Sequence, residues 1–143
     1  MTRPFSLRIS TPQGAATPMS TTLPTFPDVM RVEAPAATGF SPEPGLERRI
    51  LAHNASMMLV EHRMASGWVG SRHAHPHDQL VYLVRGRIGF RCGAEEFEAG
   101  AGDSFVVKGG LEHSAWALEE SVVLDVFTPY REDYLPKSPP APK

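Results

Sequence analysis

Three histidines and a glutamine fall within seven positions, His73-Ala-His75-Pro-His77-Asp-Gln79, directly ahead of an apolar run. In an extended chain, residues two apart face the same way. His73 and His75 can therefore aim two imidazoles at one point, and Gln79 keeps the same parity. A second segment, Gly102-Asp-Ser-Phe-Val-Val-Lys108-Gly-Gly110-Leu-Glu-His113, supplies a further imidazole after a turn. Neutral imidazole is the commonest protein metal ligand, and a side-chain oxygen can complete such a set. These residue types in this order point to a divalent metal ion, with the imidazoles of His73, His75, His77 and His113 and the side chain of Gln79 as candidate ligands.

The fourth position carries chemical content. A glutamate there would neutralise part of the metal charge, whereas Gln79 leaves a set of three imidazoles and one amide with the full divalent charge. Such a centre is the stronger Lewis acid toward an anionic or carbonyl oxygen. It also lacks the carboxylate of the facial-triad oxygenases, which favours isomerisation, ring opening or tautomerisation over oxygen activation. Proton transfer then needs another base. Asp125, in the run Val123-Leu-Asp-Val-Phe127-Thr-Pro129-Tyr-Arg131, is the candidate. Asp125 and Phe127 share a strand face. If that face is inward, a carboxylate among apolar neighbours needs a partner or a function. Arg131 lies just beyond and can clamp a substrate carboxylate with two parallel hydrogen bonds. The plainer alternative puts Asp125 at the end of a ladder on the outer face, with Arg131 solvated.

These side chains must be positioned by strands. Leu46 to Ala52, Ser56 to Met64, Leu80 to Val84, Arg87 to Cys92, Glu95 to Glu98, Ser104 to Lys108 and Ser121 to Phe127 read as strands, with glycines marking the turns. Leu80 to Val84 is continuously apolar, as expected of a strand buried on both faces. No window holds a helical period. Several short strands at close spacing imply an all-β sandwich or barrel. Eight of the 14 prolines precede residue 45 and five follow residue 128. Since proline removes a ladder donor, residues 1–44 read as a proline-rich arm, partly disordered or packed on a partner subunit, with Phe26 to Phe40 the part that can order. Residues 45–130 form the domain and 131–143 a tail. The first 27 residues carry Arg3 and Arg8 but no acid, a hint of a transit peptide. The plainer expectation is a disordered arm or an upstream start, with Met19 or Met30 as alternative starts.

The chain of 143 residues fits one domain, and its 41% apolar content can build a core. A net charge of −2 gives no sign of a nucleic-acid partner. The single cysteine, Cys92, excludes an intrachain disulfide and fits a reducing compartment, so a cytoplasmic location is expected. No apolar run approaches the length of a membrane span, and no secretory apolar segment follows the start. A small barrel with open sheet edges covers them by pairing, so a homodimer is expected.

Two glycine-framed histidine segments in this order resemble the cupins. Gly67-x5-His73-x-His75-x3-Gln79-x6-Gly86 resembles the first cupin motif, with Gln79 in the glutamate slot. Gly102-x5-Lys108-x-Gly110-x2-His113-x3-Ala117 resembles the second, with Lys108 for the proline and Ala117 for the asparagine. The resemblance covers residues 45 to 135 and implies an all-β cupin double-stranded β-helix, a jelly-roll barrel. It also implies one divalent metal ion per subunit (zinc, manganese, iron or nickel), held by His73, His75, Gln79 and His113. In the cupin pattern His77 is not a ligand, which leaves it beside the site or facing solvent. His53 and His62 have no motif and read as structural.

Leu46 to Ala52, His73 to Gln79 and the tail Leu124 to Leu135 further resemble the pectin- and alginate-degradation cupins. These open the ring of 4,5-unsaturated uronates to linear keto acids. That likeness implies Asp125 as general acid and base, Phe127 as a pocket wall and Arg131, aided by Lys108 or Arg85, as contacts to a small anionic substrate. Two other readings remain open. One is another metal-cupin enzyme, a dioxygenase or a polyketide-type cyclase. The other is a non-catalytic cupin that binds metal and a small acid.

Overall fold

The computed structural model describes residues 24–136. Expectations for residues 1–23 and 137–143 lie outside the described residues. Among the described residues nine strands form two antiparallel sheets: β1 (Thr38–Glu43), β2 (Leu46–His53), β3 (Met58–Met64), β4 (Asp78–Arg85), β5 (Arg87–Cys92), β6 (Glu95–Gly100), β7 (Ser104–Val107), β8 (His113–Ala117) and β9 (Ser121–Thr128). The larger sheet runs β1-β2-β3-β9-β4-β7 and the smaller β6-β5-β8. This is the cupin jelly-roll that the two motifs imply.

Alternation puts one face of each sheet inside. On β9 the inward residues are Ser121, Val123, Asp125 and Phe127; on β3 they are Met58, Val60, His62 and Met64. Leu46, Met64, Val81, Leu83, Ile88 and Val123 pack together as one core cluster. Ile50, Met58, Val60 and Phe127 form a second cluster, capped by Tyr130 and Tyr134. Burial of an aliphatic or aromatic side chain of this kind contributes about 1.5–3 kcal/mol. Strand β9 has ladder partners on both sides, with Asp125 opposite Val60 of β3 and Val81 of β4. Asp125 and Phe127 of the pocket therefore stand on a strand held from both sides.

Three elements differ from the sequence expectation. Strand β1 lies inside the proline-rich segment. It is an edge strand with β2 as its one neighbour, and its register breaks between Phe40 and Glu43, around Pro42. An edge tolerates a missing donor. Ahead of it, Phe26 packs edge-on against His53 and Tyr130, so part of the arm is ordered on the barrel. Strand β8 was not legible as a strand, because His113-Ser-Ala-Trp-Ala has neither alternation nor β-branched residues. Its extension comes from pairing with β5. Finally, β4 is not buried on both faces. Val81 and Leu83 point inward, while Leu80, Tyr82 and Val84 are about half exposed and share with Val106 of β7 an outer face left open among the described residues. An antiparallel sheet with nothing packed on its outside buries one face alone.

The turn between β4 and β5 depends on Gly86. Its φ is +89°, and an added Cβ would lie 2.4 Å from the Glu120 carbonyl oxygen and 2.2 Å from Ser121 Oγ. Left-handed strain and overpacking together predict that Gly86→Ala lowers stability by about 3 kcal/mol. Urea denaturation measures it, and a midpoint equal to that of the unaltered protein would contradict the packing described.

Candidate metal centre and pocket

His73 and His113 are brought together by the backbone. The His73 N–H donates to the His113 carbonyl at 3.0 Å, and the His113 N–H returns a bond at 2.9 Å. Directly opposed residues of an antiparallel bridge present their side chains on the same face. The turn after β7 docks onto the His75 segment. The Gly110 N–H donates to the His75 carbonyl at 2.8 Å, and the Gly109 N–H donates to Asp78 Oδ1 at 2.8 Å. Gly109 passes so near Pro76 that an added Cβ would stand 2.1 Å from its carbonyl oxygen. The two motif segments thus meet through glycine backbone.

Each of the three imidazoles is oriented by its Nδ1. That atom lies 3.0 Å from the Ser71 carbonyl in His73, 3.1 Å from the His77 carbonyl in His75 and 2.9 Å from the Leu111 carbonyl in His113. A carbonyl can only accept, so Nδ1 carries the proton and Nε2 keeps its lone pair. The ligand nitrogens lie within 4.8 Å of one another. His113 Nε2 is buried with no partner. Gln79 Oε1 stands 3.1 Å from His75 Nε2. Two lone-pair atoms facing each other are repulsive unless a cation lies between them, so the residues present fit a divalent ion. The structure brings together the four predicted ligands.

The electrostatics agree. Burial lowers the pKa of His75 to about 4, and the positive charge of Arg131 and the neighbouring His113 add to the effect. Burial also lowers His113, against the opposing bond from Nδ1 to the Leu111 carbonyl. Both rings are neutral at pH 7, the state that binds metal.

Asp125 faces inward and is 3% exposed. Its Oδ1 accepts from Gln79 Nε2 at 2.8 Å, and its Oδ2 lies 2.6 Å from His62 Nδ1. Behind it, Arg48 Nε donates to His62 Nε2 at 2.9 Å. Phe127 packs edge-on against the His75 ring, with centroids 5.6 Å apart. A cavity of about 360 Å³ opens over these groups, lined by His73, Gln79, His113, Asp125, Phe127 and Arg131 among others.

Arg131 is 7% exposed. Asp133 takes its Nε at 3.0 Å and its Nη2 at 2.7 Å, while Nη1 is buried with no partner among the described residues. Its guanidinium lies 4.0 Å from the centre of the Tyr134 ring and 5.0 Å from that of Phe127. Lys108 and Arg85 are placed otherwise. Lys108 is exposed and does not line the cavity, and Arg85 is exposed beside Glu120 at 3.7 Å.

Sequence reasoning missed His62, Arg48 and Tyr134 as pocket residues. A signal was present for two of them. His62 occupies an inward slot of the Met58, Val60, Met64 alternation, and Arg48 sits between Leu46 and Ile50 in the same way. A polar side chain at such a slot requires a buried partner. His77 borders the site: its ring is 6.4 Å from Phe127, and its carbonyl orients His75.

Residues 60–127 match the cupin domain family model. The chain is 32% identical over 93 residues to the pectin degradation protein KdgF of Dickeya dadantii (strain 3937), covering 64% of this chain and 84% of that protein. The structure of KdgF from a Halomonas species superposes with a TM-score of 0.70 at 35% identity, over 74% of this chain and 100% of the other. An RmlC-like cupin from Shewanella frigidimarina NCIMB 400 superposes with a TM-score of 0.70 at 30% identity, over 73% of this chain and 95% of the other.

The buried neutral imidazoles predict how the metal-free protein responds to acid. An unfolded histidine titrates near 6.5, whereas folded His75 titrates near 4. Below pH 6.5 the unfolded chain therefore binds protons that the folded chain refuses, and stability falls as pH falls. Above that value the term vanishes. Glu61, whose pKa is also lowered, adds to the loss only below about pH 4.5, the ordinary value for its carboxyl. Melting temperatures in excess chelator should decline from pH 6.5 to pH 5 and level off above pH 7. A flat profile down to pH 5 would contradict the burial of these rings.

Proposed function

The chain belongs to the cupin family, and we propose that it is a metal-dependent isomerase or lyase that opens a 4,5-unsaturated uronate to a linear keto acid. One observation carries this reading: the buried Asp125 carboxylate stands beside Gln79 in the same cavity as the unpaired Nη1 of Arg131. A proton-transfer group, a carboxylate receptor and a Lewis-acid site thus share one small space. The relative from Dickeya dadantii, named for pectin degradation, supports a uronate as the substrate class.

A divalent ion held by His73, His75, Gln79 and His113 supplies Lewis acidity toward an oxygen of the substrate; zinc, manganese, iron and nickel all suit this donor set. Arg131 gives its free Nη1–H to the substrate carboxylate. Asp133 occupies its other donors, which fixes the guanidinium before binding. Phe127 walls the sugar ring on the ligand side. Asp125 removes the proton of the anomeric hydroxyl as the bond from carbon 1 to the ring oxygen breaks. It then delivers that proton to carbon 4 of the enolate so formed, and carbon 5 becomes the ketone. The product is an isomer of the substrate, so no co-reactant is consumed. Lys108, outside the cavity, takes no part.

The proposal includes a cytoplasmic homodimer. The apolar outer face of Leu80, Tyr82, Val84 and Val106 is what a second copy would cover. Light scattering should give twice the chain mass, and a monomer that persists at high concentration would contradict the pairing.

Three measurements test the reaction. The conjugated double bond of 4,5-unsaturated galacturonate absorbs in the ultraviolet, so turnover appears as loss of signal, and chelator should abolish that loss. At saturating metal, Asp125→Asn should lower kcat by about 10²- to 10⁴-fold, the usual contribution of a positioned acid–base group. Arg131→Gln should raise KM by about 10- to 100-fold, the equivalent of one charge-assisted hydrogen bond. Full turnover by Asp125→Asn with metal bound would overturn the reading. Oxygen consumption, or metal-dependent ligand binding without turnover, would favour a dioxygenase or a binding cupin instead.

A further inference from the structure

Two polar side chains of the pocket floor take no part in the proton transfer. Arg48 of β2 and His62 of β3 are cross-strand neighbours on the inward face. His62 is 7% exposed. Arg48 lies over the Tyr134 ring, 3.8 Å from its centre, and its Nε points at His62.

The hydrogen bonds from Arg48 to Gln79 have a fixed direction. A guanidinium can only donate, so His62 Nε2 must accept from Arg48 at 2.9 Å. The proton of the neutral ring is therefore on Nδ1, and His62 donates to Asp125 Oδ2 at 2.6 Å. Asp125 is left as an acceptor through both oxygens, and Gln79 must turn its NH2 group toward Oδ1 at 2.8 Å. The other end of the amide, Oε1, then faces the imidazoles, 3.1 Å from His75 Nε2. The two ends of a carboxamide have nearly the same shape, but only the oxygen has a lone pair to give. Reversed, Gln79 would offer the site no ligand atom.

We propose that Arg48 and His62 are positioning residues that fix the orientation of the Gln79 carboxamide through Asp125, and so supply the fourth ligand of the centre. This rests on the reading of His73, His75, Gln79 and His113 as a metal site. It assigns the pair a role in metal affinity that a buried pair serving stability alone would not have. Groups that orient a ligand from behind are typically worth about 10- to 100-fold in metal affinity.

The test is a cobalt(II) titration of the metal-free protein, followed by visible absorption in competition with a chelator, with urea midpoints measured alongside. His62→Phe keeps a ring but removes the donor, and should weaken cobalt binding by about 10- to 100-fold. Gln79→Leu should weaken it similarly, and the double variant should be no weaker than Gln79→Leu alone, because both changes remove the same ligand. His62→Asn places an NH2 group where Nδ1–H stood and should recover most of the affinity at equal or lower stability. Arg48→Met frees the choice of His62 tautomer and should weaken binding in the same direction, by less. Where His62→Phe does not fold, His62→Asn and Arg48→Met carry the test. Wild-type affinity in His62→Phe or Arg48→Met, or full additivity with Gln79→Leu, overturns the positioning role while leaving the metal site standing. A wild-type protein that binds no cobalt overturns both.

Discussion

Asp125 is a carboxylate in the interior of a sheet, on a strand that hydrogen-bonds to neighbours on both sides. Burying a charged group there is costly unless each of its oxygens is met by a donor. Gln79 meets one oxygen and His62 the other, and they come from the two strands that flank β9. The carboxylate therefore ties three adjacent strands together across their inward faces. Most of the pocket follows from that requirement. Gln79 must show its oxygen to the imidazoles, His62 must accept from Arg48, and Arg48 must reach across from β2. A methyl group in place of the carboxylate would satisfy the packing but remove the reason for this arrangement.

The imidazoles are held by a different device. Each Nδ1 is fixed by a carbonyl within two residues, and Phe127 packs against the His75 ring. His73 and His75 lie on a loop and His113 opens β8, and they are joined by the backbone bridge of His73 with His113 and by the close pass of Gly109 along Pro76. One half of the site is thus set by loop geometry and the other half by a buried polar chain on the larger sheet. Gln79 belongs to both. It follows the histidine loop in sequence and lies at the start of β4, where its amide can reach Asp125. A centre built this way keeps neutral imidazoles close together without a carboxylate among them, and leaves Asp125 outside the proposed ligand set.

The parts of this arrangement differ in how clearly the sequence announced them. The candidate ligands were legible because strand parity and glycine framing are local: His73, His75 and Gln79 lie within one short segment, and His113 follows a glycine turn. The inward face of Asp125 was legible only as a condition, since alternation gives two faces and not which one is covered. Leu80 to Val84 misled for the same reason. Five apolar residues in a row suit burial on both sides, yet none of the described residues covers Leu80, Tyr82 and Val84. Strand β1 was hidden by its prolines, which an edge strand tolerates. His62 and Arg48 were hidden because their partners are distant in sequence, His62 meeting Asp125 across 63 positions. No local pattern announces such a pair, although a histidine in an otherwise apolar inward row was a hint that some partner existed.

The central claim is that three Nε2 atoms and the carbonyl oxygen of Gln79 converge on one divalent ion above Asp125. Anomalous diffraction from crystals of the zinc-loaded protein tests it directly. The account predicts one strong anomalous peak per chain, in contact with His73, His75 and His113 through Nε2 and with Gln79 through Oε1, while Asp125 stays bonded to His62 and outside the ligand set. A peak bound by Asp125 in place of Gln79, or no peak among the three histidines, would contradict it.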